Sequence, residues 1–210
     1  LAWVDEDRLV YTSNDRKIRD WNLWLLDTAD GSRRRITDDA DVQNDSPEFG
    51  PDRRTIYFAS DRGRQRRIWR TSLDGGEPVQ VTFGEDEAHQ FPQISPDGKY
   101  VYFIIKSGRN SNIGRASLEQ YSVQELSGRT RFVPGNFLAL SPDGKFLAFQ
   151  NIASGAGDGS PRMQVAVMST ENPDAVTFFE VDAFLPKADW SSDSNFFDFT
   201  AGTVKESGLH

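Results

Sequence analysis

Apolar and polar positions alternate along this chain in short runs, each closed by turn residues, and the pattern predicts strands throughout. The runs return. FGPDRRTIYF (49–58), ISPDGKYVYF (94–103), LSPDGKFLAF (140–149) and WSSDSNFFDF (190–199) each place an acidic turn before an alternating strand that ends in an aromatic. WVDEDRLVY (3–11) is a shorter relative. The closing aromatics Tyr11, Phe58, Phe103, Phe149 and Phe199 lie 47, 45, 46 and 50 residues apart. A near-constant period of this length marks a repeat architecture.

Each repeat predicts four strands. A short apolar stretch leads into Asp-Gly-Lys, and Asp-Gly is the strongest short hairpin signal, since a type I′ turn needs positive φ at both central residues. The alternating strand follows, then a polar loop and a third strand: 22–27, 67–73, 112–118 and 163–169. A tight turn of the DGG or ENPD kind leads to the fourth, at 34–37, 79–82, 123–126 and 176–181. Four short antiparallel strands per repeat of about 45 residues predict the blade of a β-propeller.

The order S-P-D-G-K, apolar strand, N-I/L-W, D-G-G, R/Q-I/V-T resembles the WD40-like repeat of TolB-type propellers. That family is related to the propeller domains of prolyl oligopeptidase, dipeptidyl peptidase IV and tricorn-type proteins. The resemblance covers essentially the whole chain. It implies an all-β propeller and, for most members, a periplasmic or other extracytoplasmic place. Arg53 stands where the turn Gly is expected, Ser194 replaces Gly in the fifth copy, and Gly114 replaces the third-strand Trp. These departures are expected to weaken single turns or packing sites.

The repeats divide the chain as 1–46, 47–91, 92–136, 137–186 and an incomplete 187–210, about four and a half blades of one propeller. Closed propellers have 4 to 8 blades, and the first repeat offers no spare outer strand for closure. The expectation is a part of a six- to eight-bladed propeller. Alone, it would expose apolar blade faces and self-associate through its open edges.

Charge narrows the partners. The net charge of −8 argues against nucleic acid, whose phosphates reward a basic surface. No apolar run approaches the roughly 20 residues of a membrane-spanning helix, so no membrane insertion is expected. The chain contains no Cys, which excludes disulfides and thiolate chemistry within it.

Blade topology sends the short Asp-Gly and DGG turns to one end of the strands. The second-to-third-strand loops and the inter-blade loops go to the other, and loops on a rigid scaffold carry binding. Candidate ligand-binding residues on this wide-loop end are Trp21, Asp39, Asp41, Arg62, Arg64, Glu85, Asp86 and His89. The acidic clusters, Asp38 to Asp45 and Glu85 to Glu87, lack the Gly and distal Glu of a calcium loop, so neither metal nor cofactor is expected. Arg62, Arg64, Arg66 and Arg67 would grip a carboxylate or phosphate, or pair with the acidic loops. GAGDG at 155–159 precedes no predicted helix and reads as a loop rather than a phosphate cradle.

Catalysis within these residues is not expected. Only His89 and His210 are available, and no G-x-S-x-G elbow is present. His89 lies near Glu85 and Glu87, which would raise its pKa. Two functions remain open: a non-catalytic module that binds a protein or peptide or serves as a sensor, or an accessory propeller gating access to the catalytic domain of a larger serine peptidase or hydrolase.

Overall fold

A computed structural model describes residues 1–14, 18, 20–126, 133–154, 161–181 and 187–200. The Gly-rich run at 155–159, most of the loop after residue 126 and the tail from 201, His210 included, lie outside the described residues. Among the described residues every regular element is a strand, as the alternation predicts.

The first sheet holds β1 (Ala2–Trp3), β2 (Arg8–Asn14), β3 (Trp21–Asp27) and β4 (Arg33–Arg35) in chain order. The second holds β5 (Asn44–Phe49), β6 (Thr55–Ser60), β7 (Arg67–Ser72) and β8 (Val79–Gln80). β9 (Ala88–Ile94), β10 (Tyr100–Ser107), β11 (Asn110–Ser117) and β12 (Val123–Glu125) form the third. The fourth is β13 (Pro134–Leu140), β14 (Phe146–Ser154), β15 (Pro161–Ser169) and β16 (Val176–Glu180). A two-stranded sheet, β17 (Lys187–Trp190) and β18 (Phe197–Thr200), follows. Four antiparallel meanders and a partial fifth are the blades of a partial β-propeller.

The chain divides into two compact units, Leu1–Arg109 with Gly114–Glu125, and Asn110–Ile113 with Leu126–His210. In the first, β6 shows why the blades read as continuous apolar runs. Ile56 and Phe58 pack with Val10, Leu23 and Leu25 of the first sheet, while Tyr57 and Ala59 pack with Val101, Phe103 and Ala116 of the third. Successive side chains of a strand face opposite ways, so a sheet covered on both sides needs apolar residues at both parities. Each fully buried large side chain contributes about 1.5–3 kcal/mol. In the second unit, Phe137 and Val165 pack with Val181 and Phe197.

Two local expectations are corrected. The inner hairpin does not use a type I′ turn. Within the inner-hairpin turn of the third blade only Gly98 takes positive φ (71°), as does Gly144 (76°) in that of the fourth, because the Pro that precedes Asp locks its own φ negative and sets a type I turn instead. Arg53 (φ 53°) and Ser194 (φ 62°) adopt the same left-handed conformation, so these two turns keep the geometry without Gly. The segment 106–112, expected as a long polar loop, is almost entirely strand, with Gly108 (φ 59°) turning the chain between β10 and β11.

Candidate functional site

Antiparallel order places the inner-hairpin turns and the β3–β4 and β7–β8 turns at one end of each sheet, and the β2–β3, β6–β7 and inter-blade loops at the other. The wide-loop end of the first unit is built on two buried polar nodes that occupy equivalent positions 45 residues apart.

The first node centres on Thr37 and Asn22. Thr37 Oγ1 accepts Leu23 N–H (3.0 Å) and donates to Asn22 Oδ1 (2.8 Å). Asn22 in turn exchanges bonds with the backbone of Asp39, receiving Asp39 N–H at 3.0 Å and donating Nδ2–H to Asp39 O at 2.9 Å. The Asp39 carboxylate accepts from Asn44 Nδ2 (3.0 Å) and from Arg62 Nη2 (2.7 Å). The guanidinium of Arg62 lies over the rings of Phe58 and Trp69, at 5.5 and 5.1 Å from their centroids. Asn22 and Asn44 are fully buried, and the arrangement satisfies their side chains.

The second node repeats the scaffold with other side chains. Thr82 Oγ1 accepts Ile68 N–H (3.0 Å) and meets His89 Nδ1 at 2.8 Å. The Thr82 hydroxyl and Nδ1 share one hydrogen bond, whose direction follows the tautomer of the ring. His89 is fully buried on β9, its ring tilted against Phe103 at 4.5 Å, and Nε2 has no hydrogen-bond partner. Burial, reinforced by the charge of Arg67, pushes its pKa down to about 3. This reverses the raised pKa expected from the neighbouring carboxylates. The imidazole is therefore neutral near pH 7, and the approach of Glu87 Oε1 at 3.6 Å is not an ion pair.

Gly84 stands where the first node has Asp39, and the space is used. A Cβ at Gly84 would lie 2.1 Å from Glu87 Oε1, so a carboxylate from three residues on fills the position of the missing side chain. Arg67, 3% exposed, ties the same loop down through the carbonyls of Gly84 (2.7 Å), Glu85 (3.3 Å) and Glu87. It is consumed by backbone and is not free to grip a ligand.

The candidate residues therefore separate into three sets. Asp39, Arg62 and His89 belong to the nodes. Arg66 pairs with Asp45 beside them. Trp21, expected outside the strand pattern, opens β3, is half-buried, and bridges Gln43. Asp41 (φ 57°), Arg64, Glu85 and Asp86 remain exposed on the loops that the nodes hold. Asn22, Thr37, Asn44 and Thr82 escaped the sequence reading, although the 45-residue spacing of Thr37 and Thr82 was its signal. Among the described residues no group of three or more His, Cys, Asp or Glu could hold a metal.

Residues 3–194 match the family model of the TolB beta propeller domain. The crystal structure of TolB from Acinetobacter baumannii superposes with a TM-score of 0.71 at 19% identity, covering 95% of this chain and 48% of that one. A TolB from Agrobacterium tumefaciens gives 0.70 at 20% identity, over 95% and 75%. An uncharacterised protein of Agrobacterium fabrum is 40% identical over 60 residues, 28% of this chain and 20% of the relative. The chain thus spans about a fifth of that relative and about half of the Acinetobacter protein.

Proposed function

Because the chain belongs to the TolB beta propeller domain family, we propose that it serves as a non-catalytic binding module whose wide-loop end recognises a protein or peptide, in an extracytoplasmic setting. The observation that carries this reading is the division of labour on that end. Arg62, Arg66 and Arg67 are spent on fixing loops, while Asp41, Arg64, Glu85 and Asp86 stay exposed on the loops so fixed. Preorganised loops bind without the cost of ordering them. His89, neutral and enclosed, is a support of this end rather than a general base.

The test is site-specific photo-cross-linking in cells, using the full-length protein with a photoreactive amino acid in place of Arg64 or Asp86. Lys99 and Lys145, in the inner-hairpin turns at the opposite end, are the comparison positions. Adducts with another protein from 64 and 86, but not from 99 and 145, are expected. Adducts confined to 99 and 145, or none from any position, overturn the reading.

A further inference from the structure

The outer edge of the fourth sheet differs from the other three. β4 has three residues, all Arg; β8 has two and β12 three. β16 has five, Val-Thr-Phe-Phe-Glu, with no Lys, Arg or Pro. Short or cationic edges resist pairing with another chain, and a long apolar one invites it. β16 ends its sheet, and among the described residues no strand pairs with its outer side.

The hydrogen bonds fix which groups that edge presents. Ser169 N–H donates to Ala175 O (3.1 Å) and Val181 N–H to Met163 O (3.3 Å). Antiparallel pairing alternates, so 175, 177, 179 and 181 turn their backbone groups toward β15, and Val176, Phe178 and Glu180 turn theirs outward. Phe178 and Phe179 are still 36% and 41% exposed. The edge is held in place, for Phe179 meets the Phe197 ring at 5.7 Å and Val181 packs with the core.

We propose that this edge is a homodimer seam, in which β16 of a second copy pairs antiparallel about a two-fold axis at Phe178. The parity agrees, because Phe178 then faces Phe178, and Val176 faces Glu180, each through outward backbone groups that exchange two bonds per pair. On the other face Thr177 meets Phe179, a β-branched residue beside an aromatic. Charge selects this register. Centring on Glu180 would set two carboxylates opposite one another. Centring on Val176 would run half the pairing into the turn before the strand. The same self-pairing at β4 would stack Arg on Arg, and β8 and β12 are only two and three residues long, so of the four outer edges β16 suits a second copy best.

This inference is independent of the binding role of the wide-loop end. It is tested on the full-length protein by sedimentation over a concentration series. The mass is expected to rise to twice that of the monomer, and Phe178→Lys, which puts like charges at the axis, should move the midpoint at least tenfold higher in concentration. Since the 210 residues contain no Cys, Phe178→Cys adds a thiol whose partner in the dimer has its Cα about 5.5 Å away. A short bis-maleimide should link it into dimers, and Gln124→Cys on β12 should stay monomeric. Circular dichroism and thermal melting verify that each variant is folded. Three outcomes overturn the seam: a monomer at every concentration, a dimer indifferent to Phe178→Lys, or linking as efficient at 124 as at 178.

Discussion

At the scale of single residues, the wide-loop end is governed by whether buried polar atoms find partners. Thr82 answers two of them, Ile68 N–H and His89 Nδ1. Thr82→Val keeps the shape and removes both bonds, so unfolding by urea should show a loss of about 1–3 kcal/mol. His89 also makes stability depend on pH. Its pKa is about 3 in the folded chain, against an ordinary 6.5, so the unfolded state binds the extra proton between those values. The contribution is fully present above pH 6.5 and is lost as pH falls toward 3. The expected slope is about 1.4 kcal/mol per pH unit for one proton. His89→Asn, the residue that the first node carries at Asn44, should flatten it when urea midpoints are compared from pH 7 to pH 4. Gly114 is a packing choice of the opposite kind. A Cβ there would sit 2.7 Å from the Phe103 ring and 2.8 Å from Ile105. Those two side chains occupy the room that Trp would need, and Gly114→Ala should cost about 1–3 kcal/mol by overpacking.

The inner-hairpin turn is the recurring element, and its side chains explain its tolerance. Asp97 Oδ1 accepts Ser95 Oγ–H (2.6 Å) and Lys99 N–H (3.0 Å), and Ser95 Oγ accepts Tyr100 N–H (2.9 Å). Ser141 with Asp143, and Ser191 with Asp193, repeat the arrangement. These bonds hold the turn whether or not Gly follows. Where Gly is absent, the side chain reaches the preceding blade. Arg53 Nη1 donates to Val4 O (3.3 Å), and Ser194 Oγ accepts Asp143 N–H (3.0 Å). Arg53→Ala should therefore be less stable than Arg53→Gly by about 1 kcal/mol, since both lose the contact and only Ala keeps the left-handed strain. The turn carboxylates are held below their ordinary 3.8, by hydrogen bonds from Ser141 to Asp143 and from Ser95 to Asp97, and Asp193 falls to about 2 through Ser191. Lowered carboxyl values support the fold above pH 3.8 and withdraw that support as pH falls toward 2. Replacing Asp97 and Asp143 by Asn should shrink the drop in Tm between pH 4 and pH 2.

Across the molecule, stability resides between sheets rather than within them. Phe58 and Phe103 are fully buried in two different inter-sheet cores, and Phe196 is 71% exposed. Phe58→Ala or Phe103→Ala should cost about 3–5 kcal/mol, and Phe196→Ala within about 0.5 kcal/mol of nothing, in the same denaturation assay. The repeat made most of this legible. Alternation located the strands of all four complete blades to within a few residues, because strand side chains must face opposite ways and a doubly covered sheet is apolar at both parities. The candidate site was less legible. Arg62 and Arg66 read as cations for a ligand or for the acidic loops, and only folding decided which, bringing Asp39 and Asp45 to them from 23 and 21 residues away in the chain. His89 read as a loop residue because β9 begins at Ala88, before the apolar run that signals it.

What the sequence determined by itself is everything repeated: the blade, its four strands, the sheet order and the end on which the long loops fall. Each depends on local periodicity and turn chemistry, which act between residues close in the chain. What only the tertiary structure decided is which polar groups are spent and which remain. That depends on neighbours about 20 residues away in the chain, and equivalent positions 45 residues apart differ: one holds Asp39, the next Gly84 with a borrowed Glu87 carboxylate. Burial then reverses the sign of the His89 shift, because removing an imidazolium from water outweighs a carboxylate 3.6 Å away.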